Sequence, residues 1–132
     1  MSEQNVETAR RWLEALARED FDEALALVHQ DVELVPPGGQ APHRGTEGMR
    51  RWMEPDAFPE QEIEPLEIVA TGEGTVLAKH RITTQGARSG IDIDITSWTV
   101  WTFDQDGLVT RIEIYLEREE DRAREAAARR RP

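Results

Sequence analysis

The chain is predicted to fold as an α+β domain, with helices mostly first and a mostly antiparallel sheet last, on three observations. From Gln4 to Ala17, apolar residues recur at three- and four-residue intervals, the period of a helix that buries one face. From Ser89 to Glu117 they recur at every second residue on both sides of Asp104-Gln105-Asp106-Gly107, which reads as a half-buried hairpin. Two more strands, Glu62 to Ala70 and Thr75 to Thr84, are joined through Thr71-Gly72-Glu73-Gly74, a glycine-bearing hairpin turn.

In the first helix Val6, Ala9, Leu13, Leu16 and Ala17 form the apolar stripe. Asp20 then precedes Phe21-Asp22-Glu23-Ala24-Leu25, with Glu23 three residues on, as in a capping box in which a carboxylate replaces the hydroxyl. This second helix is expected to end near His29, whose imidazole would complement the helix dipole. Asp31 to Val35 alternates as a strand and is stopped by Pro36-Pro37-Gly38-Gly39. A third helix, Thr46 to Met53, would be capped by Thr46 and ended before Pro55, with Asp56 to Gln61 as a loop. In the final hairpin Ile91, Ile93, Ile95, Ser97, Thr99, Trp101 and Phe103 share one face with Leu108, Thr110, Ile112, Ile114 and Leu116. That face should be buried, and it holds no acid, histidine, lysine or arginine. One domain over residues 1–117 is expected, followed over 118–132 by a charged, solvated helix or frayed tail with Glu120–Arg124 and Glu125–Arg129 pairs.

Length and composition narrow the function. At 132 residues and 38% hydrophobic content the chain can build one core. It has no cysteine, hence no disulfide, thiol nucleophile or thiolate metal site. Sixteen Lys and Arg against 27 Asp and Glu leave a net charge of −11, which repels nucleic acid and anionic membranes and keeps the protein in solution. No run reaches the ~18 apolar residues of a membrane span, and Met1 to Asn5 does not read as a signal peptide. A cytoplasmic protein is expected. The three scattered histidines give no metal signature, and no phosphate loop or nucleophile elbow implies a cofactor.

The order helix, helix, Asp31-Val32-Glu33-Leu34 strand, His43-Arg44-Gly45 before a short helix, and a meander through Trp98-Thr99-Val100-Trp101-Thr102-Phe103, Gly107 and Arg111-Ile112-Glu113-Ile114-Tyr115 resembles the SnoaL-like branch of the nuclear transport factor 2 superfamily. The resemblance spans residues 4 to 120 and implies a sheet curled into a cystatin-like α+β cone around the N-terminal helices, with a ligand site at its mouth. It is specific for fold and weak for activity, because the superfamily includes isomerases, aldol cyclases, epoxide hydrolases, dehydratases and non-catalytic binding domains. Enzymes of the family commonly carry carboxylates on the first, third long and last strands. The corresponding stretches here offer Val35, then Ser97 and Thr99, then Ile114, which argues against cyclase or ketosteroid-isomerase chemistry. Epoxide hydrolysis would need an Asp-Arg-Asp cluster that the inward positions do not supply.

His80 alternates with Val76, Ala78 and Ile82 and should point into the cone, where a partly buried imidazole of near-neutral pKa can act as a general base or bond a ligand carbonyl. The plainer alternative is a core histidine satisfied by Ser97, Thr99 or water. Trp52, Trp101, Ile112 and Ile114 would line an apolar pocket for a small apolar or weakly polar molecule, with Ser97 and Thr99 as hydroxyl anchors. Arg44 would either clamp an anionic ligand or fix its loop through a carboxylate. The opposite face carries Asp92, Asp94, Trp98, Arg111, Glu113 and Tyr115. The resemblance marks it as the contact of a homodimer, with Trp98 central and Arg111 and Tyr115 beside it, and Asp92 and Asp94 as solvated charges. The leading expectation is a small-molecule-binding cone with possible acid-base activity at His80. A non-catalytic, dimeric ligand-binding or interaction module is the alternative.

Overall fold

In the computed structural model, which describes residues 2–53, 61–72, 74–85 and 92–128, the first helix α1 (Ser2–Ala17) buries Ala9, Trp12 and Leu13 with Leu16 packed beside them. That is the i, i+3, i+4, i+7 stripe of an amphipathic helix. Helix α2 (Phe21–Ala26) starts as predicted: the Asp20 side chain accepts the Glu23 backbone N–H at 3.2 Å. Asp20→Ala should therefore lower the unfolding free energy by about 1 kcal/mol, read from the shift of the urea midpoint at unchanged slope.

The second helix is shorter than expected. It ends at Ala26, and strand β1 (Val28–Val35) begins before His29. The reason is long-range: the Val109 N–H donates to the Leu27 carbonyl at 3.1 Å, and Val28, Val32 and Leu34 are buried in the core, so the sheet claims residues that local propensity assigns to the helix. His29 accordingly faces no helix end; its Nδ1 accepts the Asp31 N–H at 2.9 Å. His43–Arg44 forms a two-residue strand, β2, rather than a loop, and leads into α3 (Gly45–Met53).

Strands β3 (Gln61–Thr71), β4 (Thr75–Gln85), β5 (Asp92–Phe103) and β6 (Val109–Leu116) form the meander. The order across the six-stranded sheet is β2-β1-β6-β5-β4-β3, with β1 parallel to β6 and every other neighbour antiparallel. The sheet curls around the helices without closing. At the β5–β6 turn Gly107 takes φ +82°, and Asp104 Oδ1 accepts the Asp106 and Leu108 N–H groups at 2.8 and 3.0 Å, so residue type and turn geometry agree.

Two details of the final hairpin differ from simple alternation. The β5–β6 register shifts between Thr102↔Arg111 and Phe103↔Val109, so Thr110 is an extra residue on β6; this bulge puts Val109 rather than Leu108 or Thr110 into the core, and Thr110 is half-buried with its hydroxyl on the Thr102 carbonyl. Ile95 shares the inward parity yet is 46% exposed, because this end of the β4–β5 hairpin is only partly covered. Ile91 and the Ile93 side chain lie outside the described residues.

After a 3-10 turn (Glu117–Glu119), α4 (Glu120–Ala127) does not stand in solvent. Its Ala123, Ala126 and Ala127 pack against Leu77, Trp98 and Val100 on the outer face of the sheet, forming a second core. The expected Glu120–Arg124 pair is present at 2.7 Å on its exposed side, whereas Glu125–Arg129 involves a residue outside those described. Thr71 and Thr75 hydroxyls donate to the Ala127 carbonyl at 2.9 and 3.0 Å and tie the helix end to the β3–β4 turn.

Candidate functional site

The inner face of the cone combines α1, α3 and the middle of the meander. Pairing of β4 with β5 sets Val76 opposite Trp101, Ala78 opposite Thr99 and His80 opposite Ser97, and β6 adds Ile112 beside Trp101 and Ile114 beside Thr99. Trp101, Thr99, His80 and Ile112 are at most 3% exposed, Ser97 is buried, and Trp52 and Ile114 are half-buried and pack against the core. The sequence-predicted pocket residues therefore gather on one surface. Arg44 does not join them: it lies on the edge strand, mostly exposed, with its guanidinium 3.3 Å from Glu33.

His80 is more deeply buried than its sequence implies. Its Nε2 lies 2.7 Å from the Thr99 hydroxyl, while Nδ1 has no hydrogen-bond partner among the described residues. Burial lowers its pKa from 6.5 to about 4, so the ring is neutral at pH 7, in place of the near-neutral pKa expected of it. A neutral imidazole bonded to a hydroxyl can orient or bond a ligand, but it is a weak proton acceptor at pH 7.

Alternation among the strands does not reveal Trp12, a further member of the site. Its ring meets Trp101 edge to face, with centroids 5.9 Å apart. Among the described residues neither indole Nε1 has a partner. Leaving a buried donor unpaired costs about 1–3 kcal/mol, so three unpaired ring nitrogens, on Trp12, Trp101 and His80, require explanation. The spacing Ala9, Trp12, Leu13, Leu16 was the available signal for Trp12.

Charge is kept off this surface. Among the described residues Glu113 is the one buried acid, lysine or arginine, and it lies on the outer face. No three His, Asp or Glu side chains among the described residues are placed to hold a metal. A separate, hydrophilic cleft of about 280 Å³ lies between Gln4, Asn5 and Thr8 of α1 and the turn 104–107.

A family model for the SnoaL-like domain matches residues 9–112 of the chain. The chain belongs to the SnoaL-like domain family. No curated protein is significantly similar in sequence. Among solved structures, the SnoaL-like domain superposes on a protein described as a SnoaL-like polyketide cyclase from Jannaschia sp. CCS1 with TM-score 0.80 and 17% identity, covering 99% of this chain and 96% of the other. An NTF2-like protein of Burkholderia pseudomallei K96243 gives TM-score 0.76 and 23% identity over 93% and 98% of the two chains. RV0760c of Mycobacterium tuberculosis, solved in complex with estradiol-17β-hemisuccinate, gives TM-score 0.73 and 15% identity over 89% and 95%. At these identities the likeness establishes the fold. No helix of the SnoaL-like domain is long and apolar enough to cross a membrane among the described residues.

On the outer face, the groups expected at a dimer contact have partners within the chain. Trp98 is 2% exposed beneath α4, its Nε1 donates to the Glu117 carbonyl at 3.3 Å, and Lys79 Nζ and the Arg124 guanidinium lie 5.3 and 5.1 Å from its ring centre. Tyr115 donates to Glu113 at 2.7 Å, and Arg111 lies between Glu33 and Glu113 at 3.4 and 3.3 Å. Glu113 is only 4% exposed, a buried carboxylate that strand alternation does not distinguish from its solvated neighbours. Asp94 pairs with Arg81 at the surface at 2.8 Å. The side chain of Asp92 lies outside the described residues.

Proposed function

We propose that this SnoaL-like domain binds a small, mostly apolar organic molecule inside its cone and orients it through His80, Thr99 and Ser97. The observation that carries this reading is the concentration of buried, incompletely bonded polar groups on an otherwise apolar and uncharged inner face, the usual composition of a small-molecule site. The steroid ester bound by RV0760c supports it by analogy of fold. Acid-base turnover has less support: His80 is neutral with a hydroxyl partner, and the one buried carboxylate among the described residues, Glu113, lies on the outer face.

Native mass spectrometry of the full chain with estradiol-17β-hemisuccinate and a panel of small aromatic ketones and alcohols tests this reading. A 1:1 complex weakened at least tenfold by Thr99→Val is expected, with the ligand recovered chemically unchanged. Absence of any complex would reject the site, and a ligand recovered as a new product would replace binding with catalysis.

Dimerisation is a second part of the proposal. Because α4 already occupies the ground over Trp98, a second copy would meet the rim, where Val69 is 36% exposed and Arg111 and Tyr115 are half-buried, and the helix would lie within or beside the contact.

A further inference from the structure

We propose that the cleft between the N-terminal end of α1 and the β5–β6 turn is a second ligand site, separate from the cone, for a small organic cation that carries hydroxyl groups. The cleft holds about 280 Å³, and apart from Gly107 every described residue that lines it has a polar side chain. The observation that points to a ligand is Asn5. It stands one helical turn before Ala9 and two before Trp12, on the buried stripe of α1, and is 8% exposed. Its amide has no hydrogen-bond partner among the described residues, and what surface it keeps opens into the cleft. A primary amide both donates and accepts, so burying it unanswered is destabilising. A ligand group that does the same answers it.

The turn supplies the charge. Asp104 uses Oδ1 to accept the Asp106 and Leu108 N–H groups, which leaves Oδ2 without a hydrogen bond among the described residues. The Asp106 carboxylate is exposed and has no ion-pair partner among them. No lysine or arginine is among the described residues that line the cleft, in a chain of net charge −11, so the site attracts a cation and repels an anion. Beside the carboxylates, Gln4, Asn5, Thr8 and Gln105 offer groups that donate and accept, which the hydroxyls of a ligand match. The volume lies at the small end for small-molecule sites and far exceeds a bare ion, which favours a compact organic molecule. The competing account has both carboxylates facing the positive end of the α1 dipole and water bonding Asn5.

Glucosamine, glucose and glucuronate, which share one ring and differ in charge, separate the two accounts when titrated at pH 6 into the full-length, 15N-labelled protein and followed by NMR. Glucosamine is expected to bind at least tenfold more tightly than the other two. It should move the Asn5 side-chain amide and Gly107 N–H signals and leave the Trp12 and Trp101 indole signals in place. Asn5→Leu, which keeps the branched shape without the polar atoms, should weaken glucosamine at least tenfold while the Tm holds or rises. Asp106→Asn, an exposed position whose side chain takes no part in closing the turn, should bring glucosamine within threefold of glucose, and it keeps the test decisive should Asn5→Leu unfold. Equal binding of glucosamine and glucose would overturn the inference. Tightest binding by glucuronate would do the same, as would a response to CaCl2 with none to glucosamine. If none of the three sugars moves the Asn5 signal, the cleft holds only water and the inference falls, whereas the reading of the cone stands or falls on its own panel.

Discussion

Trp98→Ala should lower the unfolding free energy by about 3–5 kcal/mol, the range for removing a large aromatic side chain from a packed core. The ring is 2% exposed and forms the centre of the second core, between Leu77 and Val100 on the sheet and the alanines of α4. Its loss also releases two cations held over its faces, Lys79 and Arg124, and leaves the Glu117 carbonyl without its indole donor. Trp98→Phe keeps most of the buried area and should recover at least half of the loss. Urea unfolding followed by circular dichroism provides the measurement, and a loss below about 1 kcal/mol would mean that α4 does not seal this face in solution.

The same face decides the assembly. Deleting residues 120–132 removes the alanine surface and bares Leu77, Trp98 and Val100, a contiguous apolar patch of the kind that drives association. Sedimentation velocity should show the truncated chain associating more strongly than the full chain. If the full chain sediments at 15.1 kDa, it is a monomer and the proposed rim dimer is rejected. If it sediments at twice that mass and the truncation leaves the mass unchanged, α4 lies outside the contact.

Acidification provides the second large effect. The unfolded chain protonates His80 near pH 6.5, whereas the folded protein resists protonation down to about pH 4, because the imidazolium would be buried without a counter-charge. The unfolded state therefore binds the extra proton, and this contribution to stability is complete above pH 6.5. It declines by ~1.4 kcal/mol per pH unit as the pH falls and is exhausted near pH 4, a loss of about 3 kcal/mol. Carboxylates add their own pH dependence, so the informative quantity is the difference from His80→Gln, whose amide can still reach Thr99 but does not titrate. Stability of the wild type minus that of the variant should fall by about 3 kcal/mol between pH 7 and pH 4. Parallel curves would place His80 in contact with solvent and return it to consideration as a general base.

Most of the fold was legible because local chemistry and burial agree along most of the chain. The period of α1, the Asp20 cap and the Asp104–Gly107 turn each rest on a few neighbouring residues, and the inward set Thr99, Trp101 and Ile112 follows from the two-residue repeat of a pleated strand. The candidate site was legible only as a set of residue types. Alternation placed His80 on the inner face, but its burial, and hence its neutral ring, depends on helices packed from elsewhere in the chain. Trp12 was missed because it enters the site from α1, about ninety residues from Trp101 in the sequence. The early end of α2 comes from the same cause, since it depends on pairing between β1 and β6 across most of the chain, whereas the inward turn of Val109 follows from a bulge in the final hairpin that simple alternation does not show.

What the sequence determined by itself was which residues would alternate, cap and turn, and therefore the α+β class and the absence of charge from the inward face of the final hairpin; the cone followed from the family resemblance. The tertiary structure alone decided which unpaired donors would meet inside that cone, and that α4 rather than solvent would cover Trp98. The division has one physical reason. Periodicity and capping are set by contacts a few residues apart, whereas burial, and with it protonation and hydrogen-bond satisfaction, is set by whichever distant segment arrives to exclude water.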